Sequence, residues 1–196
     1  MSTLPNIRLS GVLLAGGESR RMGRDKAGVE LNGLPLWERQ LGLLQSLALN
    51  DCMISGRRDG PYAGAGVPII EDQVVGCGPI AGIVSALEES RQDGILVLAV
   101  DTPFVPAGFL FDLRNCASAA RRSVIPRIDQ SFEPMVAIYL KDALVPARNQ
   151  LAAGDFKLQH LATSLIEKDL AIAYTVSAEQ RGYFRNLNEP DDLTKV

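Results

Sequence analysis

The run Ile95-Leu96-Val97-Leu98-Ala99-Val100 is apolar without interruption and stops at Asp101-Thr102-Pro103. A strand with one wet face alternates apolar and polar residues, whereas a strand covered on both faces does not. Shorter runs of the same kind precede it: Gly11-Val12-Leu13-Leu14, Cys52-Met53-Ile54 and Pro68-Ile69-Ile70. Between them lie stretches with helical spacing, Leu36 to Leu47 (Leu36, Leu43, Leu44 and Leu47 on one side) and Ile80 to Leu87. Covered strands alternating with amphipathic helices predict an α/β fold, a mostly parallel twisted sheet with helices on both faces. Val29-Glu30-Leu31 and Leu34-Pro35-Leu36 flank Asn32-Gly33, a tight-turn pair. The later half is less regular. Strands are expected at Ser123 to Pro126 and Met135 to Tyr139, separated by the polar stretch Arg127 to Ser131. Helices are expected near residues 143–151 and 157–165, and a last strand at Ala171 to Val176.

Neither an internal repeat nor a linker interrupts the 196 residues, so residues 1–196 are expected to form a single domain. Hydrophobic residues at 46% and charged residues at 22% exclude a largely disordered chain. A net charge of −3 offers no basic excess, so neither a nucleic acid nor a membrane is an expected partner. No apolar run approaches the roughly 18–20 residues of a membrane span. The first six residues carry no secretion signal, and a cytoplasmic protein is expected. Cys52, Cys77 and Cys116 are odd in number and widely spaced, which fits neither a disulfide framework nor a zinc site. His160 is the only histidine, which removes His-rich metal sites and disfavours a Ser-His-Asp triad.

The most informative stretch is Leu14-Ala15-Gly16-Gly17-Glu18-Ser19-Arg20-Arg21-Met22-Gly23-Arg24-Asp25-Lys26, directly after the first strand. Gly16 and Gly17 permit a close backbone approach to a ligand. Four of the seven residues from Arg20 to Lys26 are cationic, a local density that nucleotide phosphates would explain. Neither the Walker pattern nor the dinucleotide fingerprint occurs, and a solvated basic surface loop is the plain alternative. Asp101 ends the best strand, where ligands of parallel α/β sheets sit, and its carboxylate suits Mg²⁺; the alternative is a cap for the helix beginning near Pro106. Asp72 suits a base or ribose, or a turn cap. Cys77, between two glycines, reads as a turn cysteine, and His160 as a surface or helix-end residue. Asn186-Leu187-Asn188-Glu189-Pro190-Asp191 would close the site or begin a last helix.

The string Leu14 to Lys26 resembles the L-A-G-G-x-S-x-R-M-G-x-D-K signature of molybdenum cofactor guanylyltransferases. Gly78-Pro79-Ile80-Ala81-Gly82 is similar to that family's G-P-L-A-G loop, Asp101-Thr102-Pro103 to its D-x-P element, and residues 186–191 to its N-x-N-x-P-[ED] ending. The matches occur in the family's order from Gly11 to Asp191. The resemblance implies a Rossmann-like nucleotidyltransferase fold. It implies transfer of GMP from GTP to molybdenum-molybdopterin, giving the guanine dinucleotide cofactor and pyrophosphate, with Mg²⁺ as cofactor. It also implies further partners among cofactor-biosynthesis proteins and acceptor molybdoenzymes.

Carried over by position, Leu14, Ala15, Gly16 and Gly17 would contact the nucleotide, Lys26 and Arg21 its phosphates, Asp72 the guanosine, and Asp101 the metal. Arg21, Lys26 and Asp101 would be the catalytic set. Asn186 and Asn188 would face the second substrate or the metal. Two departures stand out. Ile54 falls where the family often has a nucleotide-holding asparagine, so that Ser55 or the Gly56 backbone would have to substitute. Glu133-Pro134 stands where some members have His-Pro. A cytidylyltransferase acting on the same cofactor or on another phosphorylated metabolite stays open, although such relatives carry L-A-A-G where this chain has Leu14-Ala15-Gly16-Gly17. A non-catalytic nucleotide-binding module stays open as well.

Overall fold

A computed structural model describes residues 7–16, 25–71 and 76–187. Strand β1 (Leu9–Leu14) lies at the centre of the sheet, parallel to β4 (Asp51–Ser55) on one side and to β6 (Gly94–Ala99) on the other. Strand β5 (Ile69–Ile70) extends the sheet in parallel beyond β4. On the far side, β9 (Val136–Leu140) runs antiparallel to β6 and to β7 (Ser123–Ile128), and β10 (Ala171–Thr175) closes the edge parallel to β7. The spatial order is β10-β7-β9-β6-β1-β4-β5, with the short β8 (Ser131–Phe132) paired to β7. The sheet is therefore mainly parallel. Its antiparallel pairings all involve β8 or β9, which follow β7 through short turns instead of crossover helices.

The hairpin β2 (Glu30–Leu31) and β3 (Leu34–Pro35) turns at Asn32 and Gly33, with φ of 55° and 78°. Positive φ at both turn positions is what a two-residue turn matching the strand twist requires. The polar stretch expected to separate two strands instead holds the β7–β8 turn, with Asp129 at φ 52°.

Helices cover both faces. One face packs Leu13, Leu96, Leu98 and Ile138 against α1 (Leu36–Ser46) and α3 (Ala107–Ala120), through Leu36, Leu44, Phe109 and Leu113. The other packs Val12, Ile95, Val97 and Tyr139 against α2 (Pro79–Glu89), α4 (Leu144–Ala152) and α5 (Leu158–Glu167). Neighbouring residues of β1 and β6 thus feed opposite cores, as the strand period of two demands, and this is why their sequences are apolar throughout. Each fully buried Leu, Ile or Val contributes about 1.5–3 kcal/mol, so the two cores fix the strand register. No helix among the described residues is long and apolar enough to cross a membrane.

This register positions the site. Leu14 lies opposite Ser55 on one side and Ala99 on the other, so three parallel strands end on one rim. The antiparallel β9 starts at that same rim, where the Ala99 N–H donates to the Met135 carbonyl at 2.9 Å.

Candidate active site

The rim is made from the chain segments that leave β1, β4 and β6. The N–H groups of Ala15 and Gly16 both donate to the Ser55 carbonyl, at 2.9 and 3.0 Å. A Cβ on Gly16 would sit 3.8 Å from the Gly56 Cα, so the two backbones run close together. These two N–H groups are committed inside the fold. Neither N–H is therefore left to reach a ligand. Leu14 and Ala15 are buried, and Leu14 accepts from the Val100 N–H at 3.0 Å.

The chain re-enters the described structure at Asp25, which caps a short 3-10 helix over Lys26–Gly28 by accepting from the Ala27 N–H at 3.0 Å. Its other carboxylate oxygen lies 3.6 Å from the Arg57 guanidinium. This cap aims Lys26 across the rim. Its Nζ reaches Asp101 Oδ2 at 3.2 Å, and the two side chains are only 24% and 17% exposed. Two residues separated by 75 positions in sequence thus form one charged pair at the end of β6.

Asp101 does not cap the helix that follows it. The N-cap of α3 is Pro106, with no side-chain hydrogen bond. The Asp101 loop is held from several sides instead. Its own carbonyl accepts from the Leu187 N–H at 3.0 Å, so the last described residues close on the site. From α1, Arg39 Nε donates to the Pro103 carbonyl at 3.3 Å, and Gln40 Nε2 donates to the carbonyls of Ala99 and Thr102 at 3.3 and 2.8 Å. Among the described residues no cluster of three or more His, Cys, Asp or Glu could cage a metal. A single carboxylate such as Asp101 has the chemistry of a Mg²⁺ ligand, since Mg²⁺ takes one or two protein oxygens and completes its shell with phosphates and water.

The expected residues divide into three groups. Lys26, Asp101, Leu14, Ala15 and Gly16 come together on the rim. Gly17, Arg21, Asp72 and Asn188 lie outside the described residues, and Asn186 is half-buried beside Leu187. Ile54 is fully buried in the core and makes no rim contact in place of the family asparagine. The Gly56 N–H is also occupied, donating to the Ile70 carbonyl at 2.9 Å. Cys77 is buried in the turn before α2, between Gly76 and Gly78 at φ 84° and 67°. His160 sits on the surface in the first turn of α5, with Nδ1 2.7 Å from Asp155 Oδ2. That contact holds the Asp155 carboxyl below its usual range.

One feature of this region, Gln40, escaped sequence reasoning, and a second, Glu133, was named there only as a departure from the family. Gln40 occupies the buried stripe of α1 with Leu36 and Leu44, four positions from each; a polar residue in that register was a readable signal. Glu133, in the turn before β9, donates its N–H to the Pro126 carbonyl of β7 at 2.8 Å and is half-buried, and burial raises its carboxyl above the usual glutamate range. No local sequence pattern brings the turn before β9 to the rim; the pairing of Met135 with Ala99 does.

Residues 11–172 match the family model of the MobA-like NTP transferase domain. A protein of Opitutus terrae described as a probable molybdenum cofactor guanylyltransferase is 36% identical over 94% of this chain and 92% of its own length. The molybdenum cofactor guanylyltransferase of Rhodobacter capsulatus is 34% identical, with 97% and 95% covered. The crystal structure of molybdopterin-guanine dinucleotide biosynthesis protein A from Archaeoglobus fulgidus superposes with a TM-score of 0.78 at 28% identity, covering 95% of this chain and 96% of that one.

Proposed function

The chain belongs to the MobA-like NTP transferase family, and from that membership we propose that it is a molybdenum cofactor guanylyltransferase. It transfers GMP from GTP to the terminal phosphate of molybdenum-molybdopterin. The observation that carries the reading at residue level is the Lys26–Asp101 pair on a rim of this family's fold.

In the reaction an oxygen of the molybdopterin phosphate attacks the α-phosphorus of GTP. A new P–O–P linkage forms and the bond to the β-phosphate breaks, releasing pyrophosphate. A phosphate nucleophile is already ionised near neutral pH, so this chain needs no general base. Its task is to bring two anions together and hold them in line. Lys26 supplies a compact positive charge to the phosphates, with Arg21 as its partner from the glycine-rich loop. Asp101 would hold Mg²⁺, which supplies charge neutralisation at the phosphates when bound. Part of the Lys26 charge is spent on Asp101 in the free enzyme, and a cation at Asp101 would leave it for the nucleotide. Leu14, Ala15, Gly16, Gly17 and Asp72 would line the nucleoside. We take the compartment to be the cytoplasm, where GTP is available and the free thiols of Cys52, Cys77 and Cys116 stay reduced.

The deciding experiment mixes the protein with molybdopterin, Mg²⁺ and GTP, CTP or ATP in turn, and identifies the dinucleotide formed. Formation of the guanine dinucleotide with GTP, lost in Asp101→Ala while the variant stays folded, is the expected result. Preferential use of CTP would make the chain a cytidylyltransferase. Metal-dependent turnover at wild-type level by Asp101→Ala would overturn the role given to Asp101.

A further inference from the structure

The Gln40 side chain is fully buried on the second turn of α1. Its Nε2 donates to two carbonyls, Ala99 at 3.3 Å and Thr102 at 2.8 Å, which bracket Asp101. Its Oε1 is buried with no hydrogen-bond partner. An orphaned buried acceptor is costly, so an amide is a poor choice here if the position served stability alone.

The two carbonyls do not depend on Gln40 for satisfaction. The Ala99 carbonyl also accepts from Thr102 Oγ1 at 2.9 Å, and the Thr102 carbonyl from the Val105 N–H at 3.4 Å. Their removal from Gln40 would strand neither. What Gln40 adds is geometric: one rigid amide ties the residue two before Asp101 and the residue one after it to the same helix. Arg39 ties the next carbonyl, that of Pro103, and Leu187 ties the carbonyl of Asp101 itself. With the backbone pinned on both sides, the Asp101 carboxylate is directed toward Lys26.

We propose that Gln40 is a positioning residue that fixes the Asp101 carboxylate through the Ala99 and Thr102 carbonyls. The inference rests on the reading of Asp101 as part of the transfer site.

The test is Gln40→Met, which conserves volume and removes both the donor and the orphaned acceptor. The melting temperature should stay within about 3 °C of wild type. The KM for GTP should be unchanged, while kcat falls roughly 10–100-fold, the range that misplacing a reacting group by about 1 Å can cost. Hydrogen exchange should accelerate at the amides of residues 100–105 and nowhere else.

Unchanged kcat with unchanged local exchange would overturn the proposal. So would a variant that fails to fold, or one whose activity loss follows a large fall in melting temperature, because the amide would then serve the core. If the wild type transfers no GMP, the functional reading fails, and the exchange experiment still decides whether Gln40 fixes the Asp101 loop.

Discussion

Replacing Gly56 with alanine puts a methyl carbon 2.8 Å from Cζ of Tyr62 and closer still to its hydroxyl oxygen. The tyrosine ring has no free direction in which to retreat. It is 1% exposed, and a Cβ at Gly60 would likewise lie 2.5 Å from the same Cζ. Its hydroxyl oxygen accepts from the Arg57 N–H at 2.9 Å, so the ring also anchors the turn after β4. Relief by a small shift costs the ~1–3 kcal/mol typical of overpacking, and full ejection of the ring the ~3–5 kcal/mol of losing a buried aromatic. The loosened hydrogen bond adds about 1 kcal/mol. Gly56→Ala should therefore destabilise the protein by about 2–4 kcal/mol, or roughly 5–15 °C in melting temperature.

Tyr62→Phe alone should cost about 1 kcal/mol, for the stranded Arg57 N–H. It also removes the atom nearest the new methyl group, so the double variant should cost at least ~1 kcal/mol less than the sum of the singles. Urea unfolding of the four proteins gives this cycle. A Gly56→Ala loss under ~1 kcal/mol, or additivity within about 0.5 kcal/mol, would refute the account of why this position is glycine.

Two further predictions concern charge. Lys26→Ala should weaken GTP binding by about 10–100-fold, the worth of a charge-assisted phosphate contact, and an unchanged dissociation constant by calorimetry would remove Lys26 from the phosphates. Glu133→Gln should raise the melting temperature at pH 7, because burial holds the folded carboxyl above its ordinary value and its ionised form therefore weakens the fold. Below the ordinary glutamate range both folded and unfolded states are protonated and the gain should vanish. A difference independent of pH would contradict this assignment.

The strands buried on both faces were legible because their residues lack alternation: Ile95 to Val100 could belong only to a covered strand. The helices on both faces and the shared rim of β1 and β6 followed from that. The direction of β9 was not legible, since Met135 to Tyr139 is apolar in either sense and only its short link to β8 decides. At the site, Lys26 stood out in the cationic glycine-rich loop and Asp101 at the end of an apolar run, but their 3.2 Å pairing depends on the Asp25 cap, which no linear spacing reveals. Tyr62 was equally hidden. Its meaning lies in two glycines that its ring crosses, Gly56 and Gly60, and no periodicity marks them.

The reversed direction of β9 divides the rim into two parts with different freedom to change. On the β1 side of Asp101, the described segments that leave β4 and β6 are anchored in the core, by Tyr62 and by Gln40. On the β9 side, the chain turns back at residues 129–130 between β7 and β8, and the link from β8 to β9 is tied to the sheet through Glu133 and Met135. Residues can be added or exchanged at the 129–130 turn without disturbing the register of β6 or the Lys26–Asp101 pair. Exchanging that turn for a relative's would therefore alter one part of the rim while leaving the β1 side unchanged.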